Sequence, residues 1–165
     1  MDKVFLEKAK KIKYLLLDVD GVLTNGTVFV SERGEESLGF SIYDGLGIAL
    51  CEKAGIPVGF LSGRDSPAVQ SRATSLGVSD CYLGVSDKGK VYDEILMKRR
   101  LKEDEVAYVG DDLIDLPVLR RVGLSVSVPN AVDAVLKEVD WITKRKGGEG
   151  AIRELIDALF VALGK

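Results

Sequence analysis

The segment 14–26, YLLLDVDGVLTNG, limits the possible folds of this chain more than any other. Three leucines lead into two aspartates, Asp18 and Asp20, and Gly21 then interrupts the apolar run. Side chains alternate along a strand, so an extended backbone places both carboxylates on one face, about 6.6 Å apart along the chain. Burying two like charges this close is costly unless a cation or a proton transfer balances them. The segment therefore predicts a buried strand that ends in a metal site, an acid–base site, or both.

The rest of the chain alternates short apolar runs with segments of helical periodicity. Strands buried on both faces are almost entirely apolar, so the alternation predicts β-α-β units and an α/β fold with a parallel sheet flanked by helices. The predicted strands are residues 14–17, 58–61, 106–109 and 124–128. The predicted helices are residues 3–11, 45–54, 67–76, 88–100, 113–122, 131–139 and 150–163, with Asp44 and Ser66 as N-caps of two of them. At 165 residues and 46% hydrophobic side chains, we expect one domain, residues 1–165.

One segment departs from the alternation, directly after the aspartate pair. Residues 27–30 and 35–41 flank the polar turn 31–34, which predicts a β-hairpin insertion over residues 27–41. This hairpin and one helix account for most of the chain between Asp20 and Ser62. The sequence therefore leaves no room there for a bulky domain over the strand end.

The composition excludes several kinds of chemistry and of partner. The chain has no histidine, which rules out a Ser-His-Asp triad, a phosphohistidine and imidazole-bound zinc. A metal held only by carboxylate and carbonyl oxygens is most naturally Mg²⁺. Net charge −3 provides no basic field for nucleic acid, and no apolar run approaches membrane-spanning length. The amino terminus has no apolar stretch of signal-peptide length, so we expect a cytoplasmic protein without nucleic-acid or membrane partners.

Chemically reactive side chains follow three of the predicted strands. The carboxyl ends of parallel strands meet at one edge of the sheet, where ligands bind. Lys88, which opens a predicted helix, is expected to join them. The set comprises Asp18, Asp20, Ser62, Gly63, Arg64, Lys88, Asp111 and Asp112. Carboxylates, a hydroxyl and cations of this kind suit an oxyanion held beside a divalent cation.

Four motifs in this set resemble those of the haloacid dehalogenase superfamily. DVDGVLTNG, LSGR, SDKGK and VGDDLID occur in the order of its nucleophile, second, third and fourth motifs. More narrowly, YDGLGI, YLGVSDK and the tail KGGEGAIRE are similar to those of 3-deoxy-D-manno-octulosonate 8-phosphate phosphatases. The resemblance implies a Rossmann-like core without a large cap domain and a Mg²⁺-dependent phosphatase of lipopolysaccharide sugar biosynthesis.

The resemblance also implies roles for the acidic residues. Asp18 would attack phosphorus and form an aspartyl phosphate, and Asp20 would protonate the leaving oxygen and then activate water. Mg²⁺ would be held by the carboxylates of Asp18 and Asp111 and the backbone carbonyl of Asp20. Asp112 would support the ligands, or cap the following helix, and both roles can hold together.

The remaining residues would bind the substrate. Ser62, the Gly63 amide and Lys88 would hold the phosphoryl oxygens, with Lys88 also offsetting the charge of the nucleophile. Arg64 would read the carboxylate side of the sugar. Arg72 would contact the substrate or only a neighbouring carboxylate.

Assembly and substrate follow from the same resemblance. Without a cap, a neighbouring subunit must cover the site, so we expect a homotetramer in which the hairpins 27–41 pack together. The segment 144–150 would reach over a neighbouring subunit's site as a lid. The family often has Arg at the position of Tyr43, and GGEG is also similar to phosphatases of nine-carbon sugar acids. The alternatives are a nonulosonate 9-phosphate phosphatase or a promiscuous sugar phosphatase and, outside enzymes, a phospho-accepting receiver domain.

Overall fold

A computed structural model describes residues 3–165 as a sheet flanked by helices. The strands are β1 Tyr14–Leu17, β2 Phe29–Val30, β3 Glu36–Ser37, β4 Val58–Leu61, β5 Asp80–Tyr82, β6 Val106–Val109, β7 Leu124–Ser127 and β8 Trp141–Ile142. The helices are α1 Lys3–Ala9, α2 Ile42–Lys53, α3 Pro67–Leu76, α4 Lys88–Arg99, α5 Leu116–Leu119, α6 Asp133–Leu136 and α7 Ala151–Leu163. None of the helices in this part of the chain is long and apolar enough to cross a bilayer.

The main sheet is parallel, in the order β5-β4-β1-β6-β7-β8, and β1 lies inside it. Leu16 pairs with Gly59 of β4 on one side and with Tyr108 of β6 on the other. Leu15 and Leu17 pack with α1, α2, α3 and α7, whereas Leu16 packs with α4, α5 and α6 on the opposite face. The prediction of an α/β fold with a parallel sheet is confirmed.

The two edge strands, β5 and β8, are not predicted by the sequence pattern. They contain three and two residues, and neither is fully buried. A segment this short, half exposed and partly polar, shows neither the apolar run nor the alternation by which a strand is recognised. The predicted hairpin is present as the two-stranded sheet β2–β3, with only two pairs of facing residues.

Several predicted boundaries shift, and one predicted N-cap is wrong. Helix α2 begins at Ile42, and its N-cap is Ser41, whose hydroxyl accepts from the Asp44 amide at 3.4 Å. Asp44 instead accepts at 2.8 Å from the Arg153 amide in the first turn of α7, where the N-cap, Gly150, has no side chain. Asp44 thus caps a distant helix.

The third-last helix is also shorter than predicted. Residues 113–122 form a 3₁₀ turn, Leu113–Asp115, followed by the single-turn helix α5. The predicted helix 131–139 contracts to α6, and Ser66 precedes α3 without a side-chain cap hydrogen bond. Apolar periodicity sets where these helices pack, while the ends depend on local backbone partners.

Candidate active site

A cleft of about 500 Å³ opens at the carboxyl ends of β1, β4 and β6. Its lining includes six of the nine predicted site residues, Asp18, Asp20, Gly63, Arg64, Asp111 and Asp112. Strand β1 ends at Leu17, and the backbone turns at Val19, whose carbonyl accepts from the amides of residues 22, 23 and 24. Asp20 therefore lies in a turn rather than on the extended strand that its spacing predicts, and it still faces the same cleft as Asp18.

Lys88 and Asp18 form a buried ion pair at the floor of the cleft. The Lys88 ammonium lies 2.7 Å from Oδ1 of Asp18, although the two residues are 70 positions apart in the chain. Burial opposes the charge on Lys88, but the carboxylates of Asp18 and Asp115 outweigh it and raise the pKa of Lys88. Burial and the charge of Asp115 raise the pKa of Asp18, against the effect of Lys88. The structure thus brings a lysine to the predicted nucleophile, as the prediction requires.

Asp115 is a residue of this site that the sequence analysis missed. Its Oδ1 accepts from Lys88 at 2.6 Å and from the Tyr108 hydroxyl, and its Oδ2 accepts from the amides of Asp111 and Asp112. The side chain is fully buried. These four donors use the acceptor capacity of a carboxylate. Asp115 therefore holds Lys88 and the 111–112 backbone in place. In the sequence, only its i+4 spacing from Asp111 in VGDDLID could have indicated that it belongs to the site.

The donor set of the site fits a hard divalent cation. One carboxylate oxygen from each of Asp18, Asp111 and Asp115 lies within 4.8 Å of the others. Burial, together with the charge of Asp115, raises the pKa of Asp111 to about 6. Carboxylates crowded in this way lower their free energy when a cation joins them, and an all-oxygen set favours Mg²⁺. Because Asp115 is already saturated by donors, Asp18 and Asp111 are the carboxylates with capacity for the ion.

Asp20 and Arg64 face each other at the rim of the cleft. Nε of Arg64 lies 3.6 Å from Oδ2 of Asp20, and its Nη2 lies 2.5 Å from Oε2 of Glu36 on the hairpin. Oδ1 of Asp20 is buried without a hydrogen-bond partner among the described residues. An unpaired buried acceptor at a cleft is placed to meet a ligand's hydroxyl or leaving oxygen.

The loop after Asp20 requires glycine at position 21 and is held by several hydrogen bonds. Gly21 has φ +84°, and a Cβ there would collide with the Asp111 carboxylate. The Thr24 hydroxyl accepts from the amides of Gly21 and Gly26, each at 3.2 Å. The Asn130 side chain donates to the Gly21 carbonyl at 2.8 Å. These contacts fix the loop that carries Asp20.

The segment 144–150, expected to reach over a neighbouring site, packs on this loop of its own chain. The Gly147 amide donates to Asn130 Oδ1 at 2.8 Å, and the Gly148 amide donates to the Val22 carbonyl at 3.0 Å. A Cβ on Gly147 would collide with the Gly21 carbonyl oxygen. Gly147 and Gly148 of KGGEG therefore allow a close backbone approach, a requirement that the composition of the loop did not reveal.

The remaining predicted residues divide between the cleft and its surroundings. Ser62 is buried, and its hydroxyl accepts from the Arg64 amide at 3.1 Å, so it shapes the turn after β4. Arg72, on α3, does not line the cleft. It donates to the Ser41 carbonyl at 3.3 Å and stacks on the Phe40 ring, 5.8 Å from its centroid. A substrate contact by Arg72 stays a prediction.

Comparisons with known proteins agree with this geometry. A family model described as haloacid dehalogenase-like hydrolase matches residues 84–155. The 3-deoxy-D-manno-octulosonate 8-phosphate phosphatase KdsC of Escherichia coli K12 is 41% identical over 160 residues, 97% of this chain and 85% of that protein. The crystal structure of the phosphatase of that name from Yersinia pestis has a TM-score of 0.98 at 38% identity, covering 100% of this chain and 89% of that one.

A further solved structure carries the ligands of such a site. The 3-deoxy-D-manno-octulosonate 8-phosphate phosphatase of Moraxella catarrhalis, in complex with a magnesium ion, a phosphate ion and KDO, has a TM-score of 0.96 at 35% identity. It covers 99% of this chain and 94% of its own. Because the chain is similar to these phosphatases over nearly its whole length, the alternative of a receiver domain is excluded. The chain belongs to the haloacid dehalogenase-like hydrolases, within the family of 3-deoxy-D-manno-octulosonate 8-phosphate phosphatases.

Proposed function

We propose that this chain is a Mg²⁺-dependent phosphatase that hydrolyses 3-deoxy-D-manno-octulosonate 8-phosphate through an aspartyl phosphate on Asp18. The observation that carries the proposal is the buried Asp18 carboxylate, held 2.7 Å from the Lys88 ammonium at the floor of an open cleft. The names of relatives at 41% identity over 97% of the chain support the substrate.

Asp18 is the nucleophile in this proposal. Its carboxylate oxygen attacks phosphorus while the ester bond to the sugar oxygen breaks. Lys88 offsets the negative charge that the carboxylate and the phosphoryl group bring together, and Asp115 keeps the ammonium at that position. A loose, metaphosphate-like transition state needs mainly such positioning and charge neutralisation.

Asp20 transfers the proton. In the first step it protonates the leaving sugar oxygen, and in the second it takes a proton from the water that attacks the aspartyl phosphate. Its buried Oδ1, which lacks a partner among the described residues, supports this role because the oxygen is free to meet the leaving group. Hydrolysis then returns Asp18 as a carboxylate and releases phosphate.

The crowded aspartates of the cleft would hold Mg²⁺. The carboxylates of Asp18 and Asp111 and the backbone carbonyl of Asp20 would be its ligands, with Asp112 as support. When bound, the ion neutralises charge between the nucleophile and the phosphoryl oxygens. The magnesium complex of the Moraxella enzyme supports this choice of metal.

The polar groups around the nucleophile bind the substrate. Ser62 and the Gly63 amide lie at the turn after β4, where they and Lys88 would accommodate the phosphoryl oxygens. Arg64, with its side chain 37% exposed at the rim, would bind the sugar carboxylate. Arg72 would act only if another subunit or a movement of α3 brings it to the ligand.

We also propose that the protein is a homotetramer whose hairpins pack together. The hairpin surface, defined as Phe29, Val30, Ile42, Tyr43 and Leu46, exposes 54% to 75% of each side chain. Exposed apolar side chains on neighbouring stretches of the chain favour a protein interface, provided that they form one contiguous patch. A neighbouring subunit there would also cover a cleft that is otherwise open to water.

A substrate panel tests the proposed function. Phosphate release is measured with Mg²⁺ for the eight-carbon and nine-carbon sugar acid phosphates, with glucose 6-phosphate as a carboxylate-free control. We expect a kcat/KM at least about tenfold higher for the eight-carbon ester, which corresponds to about 1.4 kcal/mol of transition-state binding. Preference for the nine-carbon ester, or equal rates on all three, would replace the proposal with one of the alternatives.

A further inference from the structure

The hairpin β2–β3 is joined to the catalytic cleft by one ion pair. Glu36, on β3, lies with Oε2 2.5 Å from Nη2 of Arg64. Within residues 3–165 this is the only side-chain hydrogen bond that links hairpin residues 28–37 to the sheet domain. All four strand residues of the hairpin are exposed, and the apolar contacts of the insertion with the core lie beyond β3, at Leu38 and Phe40. The pair of Glu36 with Arg64 is therefore the side-chain contact that links β3 itself to the rim of the cleft.

The same guanidinium group stops just short of Asp20. Nε of Arg64 lies 3.6 Å from Oδ2 of Asp20, which is beyond hydrogen-bonding distance. Closing this gap to an ordinary charge-assisted length of about 2.8 Å needs a movement of less than about 1 Å. Arg64 thus stands between two carboxylates and hydrogen-bonds to only one of them.

We propose that Glu36 is a positioning residue that keeps the 3.6 Å ion pair of Arg64 with Asp20 from closing into a direct hydrogen bond. The inference rests on the proposed function, in which Asp20 must reach the leaving oxygen and later the water. A direct hydrogen bond from Arg64 would occupy Oδ2 of Asp20 and turn the carboxylate toward the rim, which would also move Oδ1 away from the leaving oxygen. Glu36 competes with Asp20 for the Arg64 guanidinium. Its contact with Arg64 keeps the guanidinium at the entrance of the cleft and leaves the Asp20 carboxylate available for proton transfer.

Loss of Glu36 removes the competitor and leaves Asp20 as the nearest anion to Arg64. The pair of Arg64 with Glu36 is partly exposed, 37% and 42% for the two side chains, so its energy is modest and its effect on rate is modest too. We expect Glu36→Ala to lower kcat by about threefold. Glu36→Gln keeps an acceptor without the charge and should lie between the wild type and Glu36→Ala.

The decisive measurement is the rate of the double variant. Turnover of p-nitrophenyl phosphate, which carries no carboxylate for Arg64 to bind, is measured with saturating Mg²⁺. If freed Arg64 impairs Asp20, then Glu36→Ala with Arg64→Ala should have a higher kcat than Glu36→Ala alone. Damage to the hairpin or to folding would not be relieved by deleting a second side chain. A double variant no faster than the single one would overturn the proposal.

Two controls complete the test. Glu35→Ala removes a neighbouring exposed carboxylate of the hairpin and should leave kcat unchanged. A crystal structure of Glu36→Ala should show Arg64 within hydrogen-bonding distance of Asp20, and an unmoved Arg64 would refute the inference. A wild-type protein inactive on every phosphate ester would refute the proposed function instead, while the crystal structure would still decide the position of Arg64.

Discussion

Lys88 and Asp115 form an ion pair with Nζ 2.6 Å from Oδ1, and the two side chains are 1% and 0% exposed. Lys88 also reaches Asp18 at 2.7 Å, so one ammonium balances two buried carboxylates. Removing one member of a buried pair leaves an uncompensated charge, which is more costly than the pair itself is stabilising. The same contact therefore contributes to folding and to the placement of the lysine beside the nucleophile.

Neutralising Asp115 should affect both stability and rate. We expect Asp115→Asn to lower the free energy of unfolding by about 3 kcal/mol, since Lys88 loses a charged partner and two amides lose a strong acceptor. Urea unfolding measures the first effect, and kcat should fall together with it. Asp112→Asn, at an exposed position three residues earlier, is the matched control for stability and should cost less than about 1 kcal/mol.

The two aspartates of the first motif should fail in different ways. Asp18→Asn should form no phosphoenzyme, because its amide is a poor nucleophile. Asp20→Asn should still bind Mg²⁺ through its backbone carbonyl and should accumulate phosphoenzyme from p-nitrophenyl phosphate, whose leaving group needs little protonation. Acid-quenched labelling and calorimetric Mg²⁺ titration measure these outcomes. A metal-free Asp20→Asn protein would contradict the proposed division of labour.

The crowded carboxylates should make the metal-free protein less stable as the pH rises. Burial and the charge of Asp115 raise the pKa of Asp111 from its ordinary 3.8 to about 6, and burial also raises that of Asp18. At a pH between the pKa of the unfolded chain and the pKa of the folded protein, the native state holds protons that the unfolded chain has released. The free energy of unfolding therefore falls as the pH rises from about 4 to about 7.

Thermal melting in EDTA checks this pH dependence. The melting temperature should be about 3 °C higher near pH 5 than near pH 7.5. Mg²⁺ should raise the melting temperature more at the higher pH, since it binds the ionised carboxylates. Asp111→Asn should reduce both effects, and a wild-type protein indifferent to pH in EDTA would count against the crowded site.

A glycine-to-alanine substitution can test whether the packing of segment 144–150 on the loop that carries Asp20 matters. The Cβ of Gly147→Ala would collide with the Gly21 carbonyl oxygen, so the loop carrying Asp20 must shift. We expect a loss of about 2 kcal/mol in stability and a lower kcat. Gly39→Ala is the control, because a Cβ there meets no atom within 4 Å. Equal behaviour of the two variants would show that the close approach has no role in activity.

The proposed tetramer makes the hairpin surface sensitive to charge. Phe29 is 64% exposed in the single chain. Phe29→Glu replaces this apolar side chain with a carboxylate and should shift the sedimentation equilibrium toward smaller species. Met97→Glu, at an apolar side chain on α4 that is 73% exposed, should leave assembly unchanged. An active monomeric wild type would refute the tetramer without affecting the assignment of the nucleophile.

Sequence patterns predicted the parts of this protein that depend on neighbours in the chain. The apolar run Tyr14–Leu17 predicted the central strand, because a strand buried on both faces needs apolar side chains throughout. The aspartates that follow it, and Lys88 at the start of α4, were predicted as a site since the carboxyl ends of parallel strands converge. The structure brings these groups to one cleft.

The contacts that the sequence left open all join distant segments. Asp44 was predicted to cap its own helix and instead caps α7, 109 residues away, because a polar side chain takes whichever unpaired amides packing brings to it. The sequence assigns Asp115 no role, because its ion pair with Lys88, 27 residues away, forms only in the folded chain. Gly147 lies in a segment predicted as a lid over a neighbouring site, and no local pattern indicates that its backbone approaches the Gly21 carbonyl of its own chain.

The sequence by itself determined the fold class, the nucleophile motif and the chemistry of the donor groups, because these follow from residue type and local spacing. Only the tertiary structure decided which carboxylate is saturated by donors, which glycines allow a close backbone approach, and which anion holds Arg64. Each of these depends on distances between segments that approach one another only when the core is packed. The local sequence pattern does not determine those distances.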